Sequence, residues 1–206
     1  MKFGVTCFSL IVIVSFSYEK PSFAKSLRHS HDLEVLTRLV QDASNRNLVK
    51  ARTLAKLIQT ECQKYQLDPV LVMAVIKIES DFQYRAVSSA GALGLMQVMP
   101  MTGREVASQM KLKKHVDRHL FNPVTNIRLG VKYLAHLKQR FGHNQMLYLS
   151  AYNWGPTRIR NLSQTKALSW DHLGYAKKVL SVYDHLKRRQ KVWVAKLSPK
   201  LQAMQQ

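Results

Sequence analysis

An apolar stretch that begins at Asp68-Pro69 and ends in the carboxylate of Glu79 constrains the fold more than any other feature of the sequence. An aspartate followed by proline is typical of a helix start, because the carboxylate caps the free N–H groups of the first turn and proline suits the first helical position. Apolar residues then recur at helical spacing on the face that also carries Glu79, namely Leu71, Val72, Val75 and Ile76. The pattern predicts a core helix with a carboxylate at the end of its buried stripe.

A carboxylate in that position has a specific chemical use. Burial without a cationic partner disfavours the charged form and raises the pKa of Glu79, which suits a general acid that works near neutral pH. Alternatively, Glu79 is the solvated last turn of a core helix. This segment alone does not decide between the two interpretations.

Two later segments contain residue types that suit a carbohydrate groove. The first, residues 86–100, is rich in small residues, and its glycines allow the backbone to approach a ligand closely. The second, residues 151–156, places an aromatic hydroxyl beside an amide. The amides of Gln97 and Asn153 match the hydroxyl and N-acetyl groups of sugars.

Three short motifs follow one another along the chain: Glu79-Ser80, Gly94-Leu95-Met96-Gln97 and Ala151-Tyr152-Asn153. In this order and spacing they resemble the signature segments of the soluble lytic transglycosylase catalytic domain, which is related in fold to the goose-type lysozymes. The resemblance extends from about Leu54 to about Tyr183. The helical spacing along the chain predicts an all-α or mainly α fold, and the resemblance implies that this fold is lysozyme-like. A small hairpin near Val87 to Val98, beside the active-site cleft, is also expected.

The resemblance implies a reaction that needs one carboxylate. Glycosidic cleavage usually uses two, but between Glu79 and Asp171 the chain offers only Asp81, Glu105 and Asp117, and none lies in a signature motif. In the resembling family a single Glu protonates the bond between N-acetylmuramic acid and N-acetylglucosamine. It then accepts the proton of the muramic acid C6 hydroxyl, which gives a 1,6-anhydro product. The resemblance assigns both steps to Glu79.

The same resemblance implies six substrate-binding residues. Ser80 and Gln97 are expected to hydrogen-bond near the carboxylate or an N-acetyl group, and Met96 is expected to line a sugar subsite. The others, Tyr152, Asn153 and the late tyrosine Tyr175, are expected to orient the substrate. Alternatively, Ser80 is a polar residue at a helix end, and Met96 and Tyr152 are packed core residues. One departure precedes Tyr175, where Asp171-His172 stands in place of the Glu-Thr pair that is common in the family.

The first 24 residues read as a secretory signal peptide. Met1-Lys2 is a short positive start, an apolar run follows, and Ser22-Phe23-Ala24 is a cleavage site of small-residue type. We therefore expect a mature chain that begins at Lys25, has no transmembrane segment and resides in the periplasm or cell envelope. Alternatively, the leader is an uncleaved anchor, although its apolar run is shorter than the ~20 residues that span a bilayer.

The charge of the chain favours polyanionic partners. Lys and Arg number 32 against 12 Asp and Glu, a formal net charge of +20. For an exported protein this favours peptidoglycan strands with their peptide carboxylates, and it allows envelope or secretion-complex proteins as partners. Alternatively, the excess charge is only a solvated surface. Nucleic acid is not expected as a partner, because the sequence contains no reading motif.

No cofactor or metal is expected. The histidines form no spaced cluster with cysteine or acidic residues. Cys62 would be the one cysteine of the mature chain, and its place in a helical pattern predicts a buried small hydrophobe.

The patterns divide the chain into four parts. They are the signal peptide (1–24), an N-terminal helical extension (25–53), a catalytic domain (54–186) and a basic tail (187–206) that is either loose or a surface helix. Within the catalytic domain, Thr102 is expected to cap a helix with Glu105 completing a capping box. Two other functions stay open at this point: a hydrolytic lysozyme, and a non-catalytic wall-binding or envelope-assembly factor.

Overall fold

Helices make up the fold throughout the part of the chain that is described. The computed structural model describes residues 23–45, 47–112 and 116–203, so the predicted leader lies outside it except for its last two residues. Eight α-helices and one 3-10 helix (Val116–His119) occur there. The α-helices are α1 (Phe23–Ser44), α2 (Leu48–Lys64), α3 (Pro69–Ser80), α4 (Pro100–Gln109), α5 (Pro123–Arg140), α6 (Gln145–Trp154), α7 (Pro156–Gln164) and α8 (Trp170–Ala203). The predicted all-α class is confirmed.

Helix α3 lies at the centre of the core. Every residue from Val70 to Ile76 is at most 3% exposed, which is more than the one-sided burial that the spacing predicts. The reason is that α1, α2 and α8 all pack against α3, and a helix that is apolar all round is stable only when it is covered all round. Its start is as expected: Pro69 is in the first turn and the Asp68 carboxylate accepts the N–H of Val70 at 2.8 Å.

The C-terminal end of α3 is a sharp turn. Asp81 and Phe82 both have positive φ, at 49° and 61°, and the Phe82 side chain is 1% exposed in the core. This buried anchor turns the chain out of the helix directly after Glu79 and leads it into the loop of residues 86–98. The turn therefore fixes where the carboxylate stands relative to that loop.

The segment expected to form a small hairpin contains two isolated antiparallel bridges, Val87 with Leu93 and Leu93 with Val98. Both bridges share Leu93, so the segment folds back on itself twice within twelve residues instead of forming a two-stranded ladder. It is a compact loop held by side chains described below.

One predicted helix start is wrong. Helix α4 begins at Pro100, its N-cap is Met99, and no side chain caps it. Thr102 and Glu105 therefore lie inside the helix rather than forming a capping box. Proline favours the first helical position, since it lacks the N–H that would go unpaired there, and the helix therefore starts three residues earlier than predicted.

The two ends of the described chain pack on the same core as the middle. Apolar residues of α1, among them Leu36, Leu39 and Val40, join one buried cluster with residues of α3, α5 and α8. Helix α8 continues through most of the predicted tail, to Ala203, so that segment is helical where it is described. None of the described helices has both the length and the apolar character that crossing a membrane would require.

Candidate active site

The packing of α8 against α3 brings a tyrosine hydroxyl to the predicted catalytic carboxylate. Glu79 lies half-buried in the last turn of α3. Tyr175, in the second turn of α8, donates its hydroxyl proton to Oε1 of Glu79 at a distance of 2.5 Å, across 96 positions of sequence. Tyr175 and Glu79 are therefore direct hydrogen-bond partners.

The surroundings of Glu79 raise the pKa of its carboxyl group toward neutral pH. Burial raises the pKa of Glu79 from 4.5 to about 7, and the hydrogen bond from Tyr175 opposes that rise without cancelling it. Burial also raises the pKa values of Tyr175 and Tyr152 well above 10, and the charge of Glu79 adds to both shifts. The two phenols therefore keep their protons and act as hydrogen-bond donors.

Tyr152 connects the second and third motifs. Its hydroxyl donates to the backbone oxygen of Met96 at 2.8 Å, and its ring lies against the ring of Tyr133 from α5, with centroids 5.5 Å apart. This contact joins α6 to the 86–98 loop and to α5. The tyrosine is therefore both a packed aromatic and a wall of the site.

The other residues of the first two motifs hold the loop in place. The Ser80 hydroxyl donates to the backbone oxygen of Leu95 at 2.8 Å. The Gln97 amide nitrogen donates to the backbone oxygens of Ala86 and Gly94, at 3.1 and 2.9 Å. These bonds tie the end of α3 and both sides of the loop together beside Glu79.

The Met96 side chain does not line a subsite in this structure. It is fully buried, and a Cβ atom added at Gly130 of α5 would lie 2.5 Å from its sulfur. Met96 reaches the site through its backbone oxygen, which Tyr152 binds. Of the two interpretations that the sequence left open for Met96, the structure supports a packed core side chain.

Sequence reasoning assigned no role to Asn126, which organises the loop from beneath. Its side chain is 1% exposed; Oδ1 accepts the N–H of Met96, while Nδ2 donates to the backbone oxygens of Leu93 and Leu120, all at 2.8 Å. Gly94 is required here, because it has φ of +74° and an added Cβ would lie 2.5 Å from Nδ2 of Asn126. The sequence signal that could have identified Asn126 is its position four residues before Gly130 on an otherwise apolar face of α5.

A cavity of about 220 Å³ opens beside these residues. Its walls include Gln97, Tyr133, Tyr152, Asn153 and Trp154, and the Asn153 side chain is exposed. A second cavity of about 230 Å³ shares Tyr133, Thr102 and Gly155 with it, so the two cavities adjoin, and we call them together the groove. A larger cavity, about 550 Å³ between α1 and α8, includes none of the predicted site residues, and we assign the site by chemistry rather than by size.

Asp81 and Glu105, two of the other carboxylates considered as catalytic groups, lie in surroundings different from those of Glu79. Asp81 is exposed and pairs with Lys77. Glu105 lies in the second cavity and helps raise the pKa of Tyr133, mainly a burial effect. The charge of Glu79 helps raise the pKa of Tyr152, so the two tilted, neighbouring rings of Tyr152 and Tyr133 respond to different carboxylates.

Neither a metal site nor a reactive thiol is seen among the described side chains. In residues 23–45, 47–112 and 116–203 no three His, Cys, Asp or Glu residues converge as metal ligands would. Cys62 is fully buried in α2, and burial raises the pKa of its thiol.

The fold is similar to that of solved lytic transglycosylases. The 70-kDa soluble lytic transglycosylase of Escherichia coli matches with a TM-score of 0.59 and 26% identity, over 80% of this chain and 30% of that one. A lytic transglycosylase of Pseudomonas aeruginosa matches with a TM-score of 0.57 at 23% identity, over 85% of this chain and 33% of that one, and it supports the fold alone.

Curated relatives share more sequence. Membrane-bound lytic murein transglycosylase C of Haemophilus influenzae is 34% identical over 140 residues, which are 64% of this chain and 39% of the relative. The protein of that name from Mannheimia succiniciproducens is 34% identical over 166 residues, 74% of this chain and 46% of the relative. The chain thus spans about two fifths of the length of the curated relatives it matches.

The match to a family model covers more than half of the chain. Residues 56–171 match the transglycosylase SLT domain, and this range contains all three motifs and the cavity. The chain therefore belongs to the transglycosylase SLT domain family.

Proposed function

We propose that the chain is a peptidoglycan lytic transglycosylase that cuts between N-acetylmuramic acid and N-acetylglucosamine and leaves 1,6-anhydromuramic acid ends. The observation that carries this proposal is the half-buried Glu79, whose pKa is raised to about 7 and which Tyr175 binds. It stands next to Tyr152, a wall of a cavity that also carries the amides of Gln97 and Asn153. An acid beside sugar-binding groups suits glycosidic cleavage.

The proposed mechanism has two proton transfers at one carboxyl group. Protonated Glu79 gives its proton to the bridging oxygen as the bond from that oxygen to C1 of muramic acid breaks. The resulting carboxylate then takes the proton of the C6 hydroxyl as its oxygen bonds to C1. A pKa of about 7 suits both steps, because the group is then nearly balanced between acid and base.

The neighbouring residues have positioning roles in this proposal. Tyr175 holds the Glu79 carboxyl group in one orientation, and Ser80 keeps the loop against the end of α3. Asn153, which is exposed in the cavity, binds polar groups of the sugars. Gln97 faces the same cavity with its amide nitrogen already engaged by the loop.

We further propose that the protein acts in the cell envelope on peptidoglycan strands. The predicted leader, Met1–Ala24, would direct export and be removed. The formal charge of +20 supports attachment to an anionic polymer or to an envelope or secretion complex.

The test is mass spectrometry of soluble fragments that the protein, purified after expression of the full chain, releases from sacculi. Glu79→Gln should release fragments at least about a hundredfold more slowly, while Asp81→Asn, which neutralises an exposed neighbouring carboxylate, should match the wild type. Anhydromuramyl products support the proposal. Reducing-end products would mean a hydrolase, and binding without any product would mean a wall-binding factor.

A further inference from the structure

A surface of exposed tryptophans and cations borders the proposed active site. We call it the Trp–cation patch and define it by Trp154, Arg158, Trp170, His172 and Lys177. Trp170 is 77% exposed and Trp154 is 36% exposed. Large exposed aromatic side chains are costly to leave in water and often mark binding surfaces.

Each tryptophan of the patch carries a cation on its ring. The Arg158 guanidinium carbon is 4.4 Å from the Trp154 ring centroid, and the Lys177 ammonium nitrogen is 2.9 Å from that of Trp170. The His172 ring, which is on the same helix as Trp170 and Lys177, lies 5.4 Å from the Trp154 ring. The rings hold both cations in place, which lowers the entropy lost when they bind an anion.

The two cations are available to a ligand. Within the described ranges, neither Arg158 nor Lys177 forms an ion pair with a carboxylate, although lysines and arginines elsewhere in the protein do, for example Arg128 with Glu61. Asp171 is the acidic residue of this stretch, and with Lys178 beside Lys177 the surface stays positive. A guanidinium that stacks on a ring still offers its edge, which matches a carboxylate in two hydrogen bonds.

The patch is continuous with the proposed active site. Trp154 follows Asn153 and is also a wall of the 220 Å³ cavity. Trp170 and Lys177 lie on the same helix as Tyr175, the hydrogen-bond partner of Glu79, five residues before it and two residues after it. A glycan strand in the groove would therefore bring its peptide substituents near the patch.

We infer that the Trp–cation patch binds the carboxylates of the peptide stems on a glycan strand whose sugars occupy the groove, an inference that rests on the proposed function. Arg158 and Lys177 form the charge contacts, and the tryptophans hold them in position. The patch would make the enzyme prefer strands that carry acidic peptides over bare glycan.

Turnover on two substrates tests the inference. The double variant Arg158→Gln/Lys177→Gln should release fragments about tenfold more slowly from peptide-bearing sacculi, and at the wild-type rate from glycan stripped of peptides by an amidase. The matched control, Lys50→Gln/Lys56→Gln, removes two charges on α2 and should leave the preference unchanged. Equal loss on both substrates, an equal effect in the control, or no effect of the double variant would overturn the inference.

A binding measurement separates this inference from the proposed function. In Trp193→Phe, the remaining tryptophans are Trp154 and Trp170, both in the patch. Murein tetrapeptide with free carboxylates should change their fluorescence saturably, whereas the same peptide with amidated carboxyl groups should not. Adding Arg158→Gln and Lys177→Gln should abolish the change. Absence of saturable binding would overturn the inference even if the chain cleaves peptidoglycan, and binding without cleavage would overturn only the proposed function.

Discussion

Tyr175 donates its hydroxyl proton to Glu79 at 2.5 Å and thereby couples the last long helix of the protein to the end of its central helix. Burial raises the pKa of this carboxyl group and the bond lowers it, and the net result is a pKa of about 7. Its removal should therefore alter proton transfer as well as packing.

The pH profile of Tyr175→Phe is the first prediction. An acid catalyst loses activity as pH rises through its pKa, so the wild-type rate should fall near pH 7. Without the tyrosine bond the pKa of Glu79 rises, and this limb should move to higher pH. Tyr183→Phe is the control, since Tyr183 lies on the same helix but binds Asp68. Cleavage rates are measured across a pH series. The prediction is contradicted if the rate falls at the same pH in both variants as in the wild type.

Glu79→Gln should lower the cleavage rate by about 10²- to 10⁴-fold, the usual contribution of a general acid. The amide oxygen can still accept the Tyr175 proton, so the fold should be unchanged by circular dichroism. Fragment release from sacculi measures the effect. A rate within twofold of wild type would refute the role of Glu79.

The same substitution should change how stability depends on pH. The folded pKa of about 7 exceeds the unfolded value of 4.5, so the folded state binds more protons between these pH values. Wild-type stability should therefore fall as pH rises from 4.5 through 7. Glu79→Gln removes this decline, up to about 3 kcal/mol for a shift of this size.

Urea denaturation at several pH values measures that difference. The two proteins should diverge progressively above pH 5 and run parallel above pH 8, with the variant the more stable at alkaline pH. Asp81→Asn, beside the site but exposed, should follow the wild-type curve. Parallel curves for wild type and Glu79→Gln at every pH would argue against a raised pKa.

Asn126→Ala should destabilise the protein by about 2–4 kcal/mol, because it leaves the N–H of Met96 and the backbone oxygen of Leu120 buried without partners. The backbone oxygen of Leu93 also loses a donor, although it keeps the N–H of Val98. It should also lower the cleavage rate, since the loop that carries Gln97 loses its support. Asn144→Ala removes an exposed N-cap bond and should cost about 1 kcal/mol with no loss of activity. Equal effects of the two substitutions on cleavage would rule out the positioning role of Asn126.

Gly130→Ala and Gly103→Ala should change the free energy of unfolding in opposite directions. Both glycines lie within helices, but a Cβ at Gly130 meets the Met96 side chain at 2.5 Å, whereas one at Gly103 finds ordinary contacts of 3.4 Å or more. We expect Gly130→Ala to destabilise by about 1–3 kcal/mol through overpacking. Gly103→Ala should stabilise by up to about 1 kcal/mol through helix propensity. Thermal unfolding of both variants checks the pair.

The sequence predicted features that depend on residues close together in the chain. The start of α3 at Asp68-Pro69 and the place of Glu79 at a helix end both follow from capping and 3.6-residue spacing, which are local. The start of α4 was predicted wrongly at Thr102 because two local signals competed and Pro100 prevailed. The catalytic assignment came from the order of three motifs.

Contacts between distant segments needed the tertiary structure. Tyr175 and Tyr183 are equivalent on a helical pattern, yet one binds Glu79 and the other Asp68. The burial of Met96, the bonds of Asn126 to the loop, and the meeting of Trp154 with His172 likewise join separate helices. Chain spacing determines which helices form and which face is apolar. Only the packing of α3, α5, α6 and α8 around one core decides which side chains meet, and therefore how far burial shifts the pKa of Glu79.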